Sequence, residues 1–167
     1  MMEFVLHATP ASYHNMGEVA LYAQALEPDA PEKTKAEMKK LWKTWVTEGN
    51  MQFSVNTSGN RWAQFNIPEG FMTDFASIPR IFRWYLDPVG APHQVAAVAH
   101  DYLYATSKEL SKLGADMVLR DAALAAGTPK FKAAVLYYAV RVGGRSAWKS
   151  NRANLLKKGP KWRFIDA

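Results

Sequence analysis

The run "VAAVAHDYLYATSKELSKLGADMVLRDAAL", residues 95–124, sets His100 and Asp101 side by side in an apolar stretch and brings a second acid, Asp116, sixteen residues after the histidine. An imidazole titrates near neutrality, so it can take up a proton and return it. On a helix His100 and Tyr104 are i and i+4 and share a face, while Asp101 points about a quarter-turn away. Asp116 lies on the next helical run, with Leu113, Leu119 and Arg120 as helical neighbours, at the edge of an apolar stripe. The short link predicts antiparallel pairing of the two helices, which brings Asp116 to His100. A carboxylate bonded to one ring nitrogen fixes the tautomer and leaves the other nitrogen as general base. Asp101, facing elsewhere, is then available to hold a hard cation through oxygen. The alternative is a core histidine bonded to a carbonyl or carboxylate, in a buried polar network that sets helix register.

A second polar group stands in "GFMTDFASIPR". Thr73, Asp74 and Ser77 can bond nearby backbone and build a tight turn ending in a helix cap. Asp74 can instead face His100 as a metal ligand or orienter, with Arg80 or Arg83 as its partner. His7, His14 and His93 show no ligand spacing and read as surface or packing residues. No second histidine stands at i+3 or i+4 from His100, so zinc has little support. The absence of cysteine excludes disulfides and thiolate metal sites.

These groups need a scaffold, and the sequence predicts a mainly α fold (α+β with a minor sheet). "MQFSVNTSGNRWAQFNIP" alternates apolar and polar residues around a turn and reads as a β-hairpin closed by Pro68. Three to four packed helices follow. "SIPRIFRWYL" predicts a short one, and antiparallel helices are expected at about 92–105 and 107–126. Another starts near Pro129, with Phe131, Ala134, Val135, Tyr138 and Val142 on one face, and weakens at Gly143-Gly144, a pair suited to a bend or a close helix approach. Tyr137, Tyr138 and Arg141 read as packing residues and a snorkelling cation. The core domain is expected at 51–148, with an N-terminal extension at 1–50 and a basic tail at 149–167. Within the extension, Met38, Leu41, Trp42, Trp45 and Val46 predict an amphipathic helix over about 32–47.

At 167 residues, 49% of them apolar, the chain is long enough to bury one core and too apolar to be disordered throughout. No apolar run is long enough to span a bilayer. The N-terminus lacks a basic and then apolar leader, so Sec export is not expected. Of the net charge of +6, residues 141–167 carry eight Lys or Arg against one Asp, +7, which leaves about −1 for the rest. That end is suited to an acidic partner, or to anionic lipid or nucleic acid over 141–163, where Trp148 and Trp162 are interleaved.

The HDxxY pattern with a downstream Asp resembles the secreted, calcium-dependent phospholipases A that act at the second acyl position, especially their prokaryotic branch. The resemblance covers about Asp87 to Leu124. It implies that His100 activates a water, that Asp116 and Tyr104 orient it, and that Asp101 binds calcium, with Asp87 of "DPVG" in the segment that supplies calcium ligands. The family's disulfides and glycine-rich calcium loop are missing here.

"IPEGFMTDFASIPRIF", "AAVAHDYLY", "GADMVLRDAALAAGTP" and "YYAVRVGGRSAW" together resemble a phage and prophage family of unknown function, numbered thirteen fifty-three, over about Met51 to Trp148. This resemblance implies a bacteriophage origin. The expectation is a phage protein with a hydrolase-like His/Asp site, associated with the virion and present in the host cytoplasm during assembly. Metal ligands would be Asp101, Asp74 and Asp87, with calcium as the ion. Other virion proteins would be met through the 32–47 helix and the basic tail. The alternative is a non-catalytic structural or assembly protein of the virion.

Overall fold

The structure, a computed structural model, describes residues 3–7, 12–15, 33–34, 37–38, 45–57, 61–73, 93–106 and 110–158. It has the expected class, mainly α with a minor sheet component. The described strands are β1 (Glu3–His7), β2 (Ser12–Asn15), β3 (Trp45–Glu48), β4 (Met51–Thr57), β5 (Arg61–Ile67) and β6 (Met72–Thr73). Four helices follow: α1 (Gln94–Thr106), α2 (Lys112–Ala125), α3 (Lys130–Gly143) and α4 (Arg145–Lys158).

The expected hairpin is β4 and β5, paired antiparallel from Met51↔Ile67 to Thr57↔Arg61. Alternation puts Phe53 opposite Phe65, and their rings stack at 5.1 Å. The hairpin is not alone: β1 adds to the other edge of β4, giving the order β1-β4-β5, and a second antiparallel sheet runs β2-β3-β6. The helix expected over about 32–47 is corrected at its end, because Trp45–Glu48 is strand β3, held between β2 and β6. Helix periodicity in Trp45 and Val46 cannot be told from strand alternation over so few residues, and sheet pairing decides it. Gly49, at φ 76°, then turns the chain from one sheet to the other.

Helix α1 is buried on nearly every side, through Ala96, Ala97, Val98, Ala99, Leu103 and Ala105. A helix apolar all round belongs in the middle of a core. Its alanines bring neighbouring backbones close, and Tyr102 packs edge-on against Phe71 at 5.3 Å and parallel to Phe65 at 6.2 Å. Met51, Phe53, Ile67 and Phe71 thereby join one core with Leu119, Leu136 and Val140. Thr47 ties the segment after β5 in place. Its hydroxyl donates to the Pro68 carbonyl at 3.1 Å and accepts from the Phe71 N–H at 3.0 Å. That segment delivers Thr73 to the end of the second sheet.

Helix α2 starts later than the expected 107, because the Ser111 side chain caps it by accepting the Gly114 N–H at 3.1 Å. It ends where Gly127, at φ 90°, reverses the chain and the Thr128 N–H returns to the Ala123 carbonyl at 2.9 Å. Helix α3 begins as expected just after Pro129, but it buries Ala133, Leu136, Ala139 and Val140 and turns Phe131, Tyr138 and Val142 to solvent. The chain does not weaken into a tail at Gly143-Gly144. It continues as helix α4, and residues 159–167 lie outside the described residues, as does the helix expected from "SIPRIFRWYL".

Candidate functional site

The two helices joined by residues 107–111 fold back on each other, and their facing sides bring one carboxylate to one imidazole. Asp116, fully buried on α2, stands 3.1 Å through Oδ1 from Nε2 of His100 on α1. Tyr104, one turn after His100, donates its hydroxyl to the same oxygen at 2.6 Å. The i, i+4 spacing lays the two rings together, centroids 4.0 Å apart. Tyr104 is held in turn by Trp148 of α4, edge-on at 4.9 Å. The three residues expected to carry the chemistry therefore meet in one place.

The second oxygen of Asp116 takes two cations. Lys112 Nζ donates to Oδ2 at 2.7 Å, and Arg141 of α3 at 3.0 Å. Lys112 also donates to the Val140 carbonyl at 2.9 Å, in the last turn of α3, an oxygen that accepts the Gly144 N–H at 2.8 Å as well and lies at the negative end of the helix dipole. Sequence reasoning missed Lys112, although its i, i+4 position before Asp116 is the signal that finds it. Arg141 is more than a snorkelling cation, since it completes the set of donors around the acid. Asp116 itself is inside the core and not at a stripe edge, because four donors replace the water it has lost.

Burial alone would push the Asp116 carboxyl up. The donors His100, Lys112, Tyr104 and Arg141 outweigh it and hold the acid well below the usual carboxylate range. The Tyr104 phenol is pushed far upward, first by burial and then by its bond to the Asp116 carboxylate, so it remains a neutral donor. An ionised carboxylate only accepts, so Nε2 of His100 carries a hydrogen. Burial disfavours the imidazolium, but Asp101 and Asp116 together overcome this and raise the His100 pKa.

The other ring nitrogen, Nδ1, is buried and has no hydrogen-bond partner among the described residues. Asp101 does not face away from it: Oδ1 lies 3.7 Å from Nδ1, an ion-pair separation, and Oδ2 accepts the Thr73 hydroxyl at 2.6 Å. Thr73, assigned to a tight turn from sequence, thus orients the acid beside the imidazole. His93, read as surface or packing, is buried at the start of α1.

The backbone permits the cluster at one tight spot. A Cβ on Gly144 would lie 2.8 Å from the Tyr104 hydroxyl and 2.6 Å from the Val140 carbonyl oxygen, so the α3–α4 junction reaches the site only as glycine. This is the close approach expected of the Gly143-Gly144 pair.

Asp74 and Asp87 lie outside the described residues. Among the described residues, no group of three His, Asp or Glu side chains could hold a metal ion, and Asp101 is the one expected ligand that is placed. A calcium ion takes six to eight oxygens, so the described residues do not by themselves fit it.

The sequence profile of a family described as "Protein of unknown function (DUF1353)" matches residues 50–140, more than half of the chain. That span holds His100, Asp101, Tyr104, Lys112 and Asp116 and ends one residue before Arg141. No curated protein and no solved structure matches the chain.

Proposed function

Because the chain belongs to the DUF1353 family of proteins of unknown function, we propose that it is a bacteriophage-encoded, virion-associated protein carrying a hydrolase-like His–Asp site. The observation that carries the hydrolase-like site is the His100 Nε2 contact with Asp116 at 3.1 Å, with Nδ1 left without a hydrogen-bond partner among the described residues beside Asp101. The phage origin rests instead on the resemblance of "TDFASIP" and "HDYLY" to a phage and prophage family. In the neutral ring Nδ1 bears the lone pair. It takes a proton from water while the water oxygen bonds to an acyl carbon, and the ester C–O bond breaks as the proton passes to the leaving alkoxide. Asp116 stabilises the imidazolium formed, and Tyr104, Lys112 and Arg141 keep the carboxylate aimed. The resemblance to the secreted phospholipases A, with His100, Asp101, Tyr104 and Asp116 in matching roles, supports an acyl ester as substrate. Asp101, with Asp74 and Asp87, would hold a calcium ion, which would polarise the ester carbonyl. Neighbouring particle proteins would be met through the segment before β3 and the basic C-terminal end.

The test is turnover of short-chain and phospholipid esters by the full chain, with and without calcium, against His100→Gln. Hydrolysis lost in a folded variant supports catalysis. Calcium, magnesium, manganese and zinc that all leave the melting temperature unchanged remove the metal from the proposal. Protein sequencing of purified particles from a phage that encodes the chain tests the virion.

A second reading is a non-catalytic virion or assembly component. Its specific support is that His100 is only 3% exposed and Asp116 is saturated by donors from three helices. No ester turnover, together with loss of fold in His100→Gln, selects it.

A further inference from the structure

The outer side of α3 is apolar where a surface helix is ordinarily polar. Phe131 is 71% exposed, Tyr138 66% and Val142 80%. Their spacing of seven and then four residues places them on one face, along which the half-buried Val135 also falls. Aligned exposed apolar side chains of this size mark a contact surface. Along α3 and the helix after it the charge has one sign, and Asp121 on the neighbouring α2 is paired with Arg120 at 2.7 Å. From Lys130 to Lys158, through all of α3 and α4, there are eight Lys or Arg and no Asp or Glu. Lys130 at the start of the stripe and Arg145 and Lys149 on the next helix are exposed.

That combination selects among partners. A second copy presenting the same face would set cation against cation. Nucleic acid would engage the charge but leave Val142 and Phe131 without a role, since phosphate backbones are bound by cations and polar groups. A bilayer with anionic headgroups offers negative charge and an apolar layer at adjacent depths, and tyrosine and phenylalanine rings are suited to that boundary. We propose that the outer face of α3, with Lys130, Arg145 and Lys149, docks on the surface of an anionic lipid bilayer. Phe131, Tyr138 and Val142 enter the headgroup region. The chain lies on the bilayer and does not cross it through a described helix, none of which is long and apolar enough.

The experiment is co-sedimentation of the full chain with phosphatidylcholine vesicles and with vesicles in which one lipid in three is phosphatidylserine. Binding needs no turnover, so the result is independent of the hydrolase reading. The expected result is binding to the anionic vesicles, weakened by salt and at least about tenfold weaker on phosphatidylcholine alone. The triple variant Phe131→Ser, Tyr138→Ser, Val142→Ser changes exposed side chains only, keeps its helical circular dichroism, and loses about tenfold or more in binding. No sedimentation with either vesicle, equal binding to both, or full binding by the triple variant overturns the proposal. So does light scattering that shows a dimer which the triple variant turns into a monomer.

Discussion

Replacing Asp116 by asparagine keeps the shape of the side chain and removes its charge, which makes the consequence calculable. The carboxylate accepts on both oxygens, from His100 and Tyr104 on one and from Lys112 and Arg141 on the other. An amide has one accepting oxygen and one donating nitrogen. The oxygen goes to the cations, which leaves the amide N–H pointing at His100 Nε2 and the Tyr104 hydroxyl. His100 answers by moving its hydrogen to Nδ1, toward Asp101, so the substitution inverts the tautomer. Deleting one partner of a buried ion pair costs about 3–5 kcal/mol. In a domain of this size each kcal/mol is worth about 2–4 °C, so the melting temperature should fall by roughly 6–20 °C. Urea unfolding followed by tryptophan fluorescence measures the first quantity, and imidazole nitrogen chemical shifts read the tautomer. A loss below about 1 kcal/mol, the scale of one ordinary neutral hydrogen bond, or an unchanged tautomer, would refute the claim that this carboxylate organises the site.

Three further outcomes are expected. The folded-state pKa of Asp116 lies below its unfolded value, so in acid the unfolded chain binds more protons; the stabilisation is full above about pH 4 and is lost as pH falls below that. Acid unfolding of wild type against Asp116→Asn checks this, since the variant should lose that part of the slope. Gly144→Ala forces a methyl against the Tyr104 hydroxyl and the Val140 carbonyl, with an expected loss of about 1–3 kcal/mol, typical of overpacking, measurable by denaturant unfolding and by a change in Trp148 emission. Phe53→Ala empties a fully buried position stacked on Phe65 and should cost about 3–5 kcal/mol; a calorimetric shift of only a degree or two would mean that the hairpin does not share the helical core.

The centre of the site was legible because helix geometry makes it so. The i, i+4 relation of His100 to Tyr104 and the short link to Asp116 are local facts, and antiparallel pairing does the rest. Lys112 was legible by the same rule and was overlooked. Arg141 and Thr73 were not legible, since they reach the cluster from α3 and from β6, and no periodicity records a contact between elements so far apart in the chain. The direction of Asp101 was misjudged for a related reason: the Thr73 hydroxyl pulls it toward the imidazole, whereas helix phase alone turns it away. In the fold, the hairpin and three helices followed from alternation and caps. The strand at Trp45–Glu48 did not, because its partners β2 and β6 lie on either side of it in sequence and pairing, not pattern, makes it a strand. The stripe on α3 was identified as one face, but which side of that helix meets the core is set by neighbours that spacing does not reveal.

The reach of Lys112 bears on the order in which the molecule is completed. Its ammonium joins the buried acid of α2 to the last turn of α3, and Arg141 of that same turn supplies the remaining cation. A ribosome that has released only α1 and α2 has therefore made the histidine, the aspartate and Lys112, but neither the Arg141 guanidinium that shares the second oxygen of the acid nor the Val140 carbonyl that holds the ammonium. Until about Gly144 has emerged the acid is one donor short, and the part of its carboxylate that Arg141 covers keeps water as its partner. Completion of this cluster is thus deferred to the arrival of the third helix, and a chain cut short before Arg141 would carry Asp116 with one of its four donors missing.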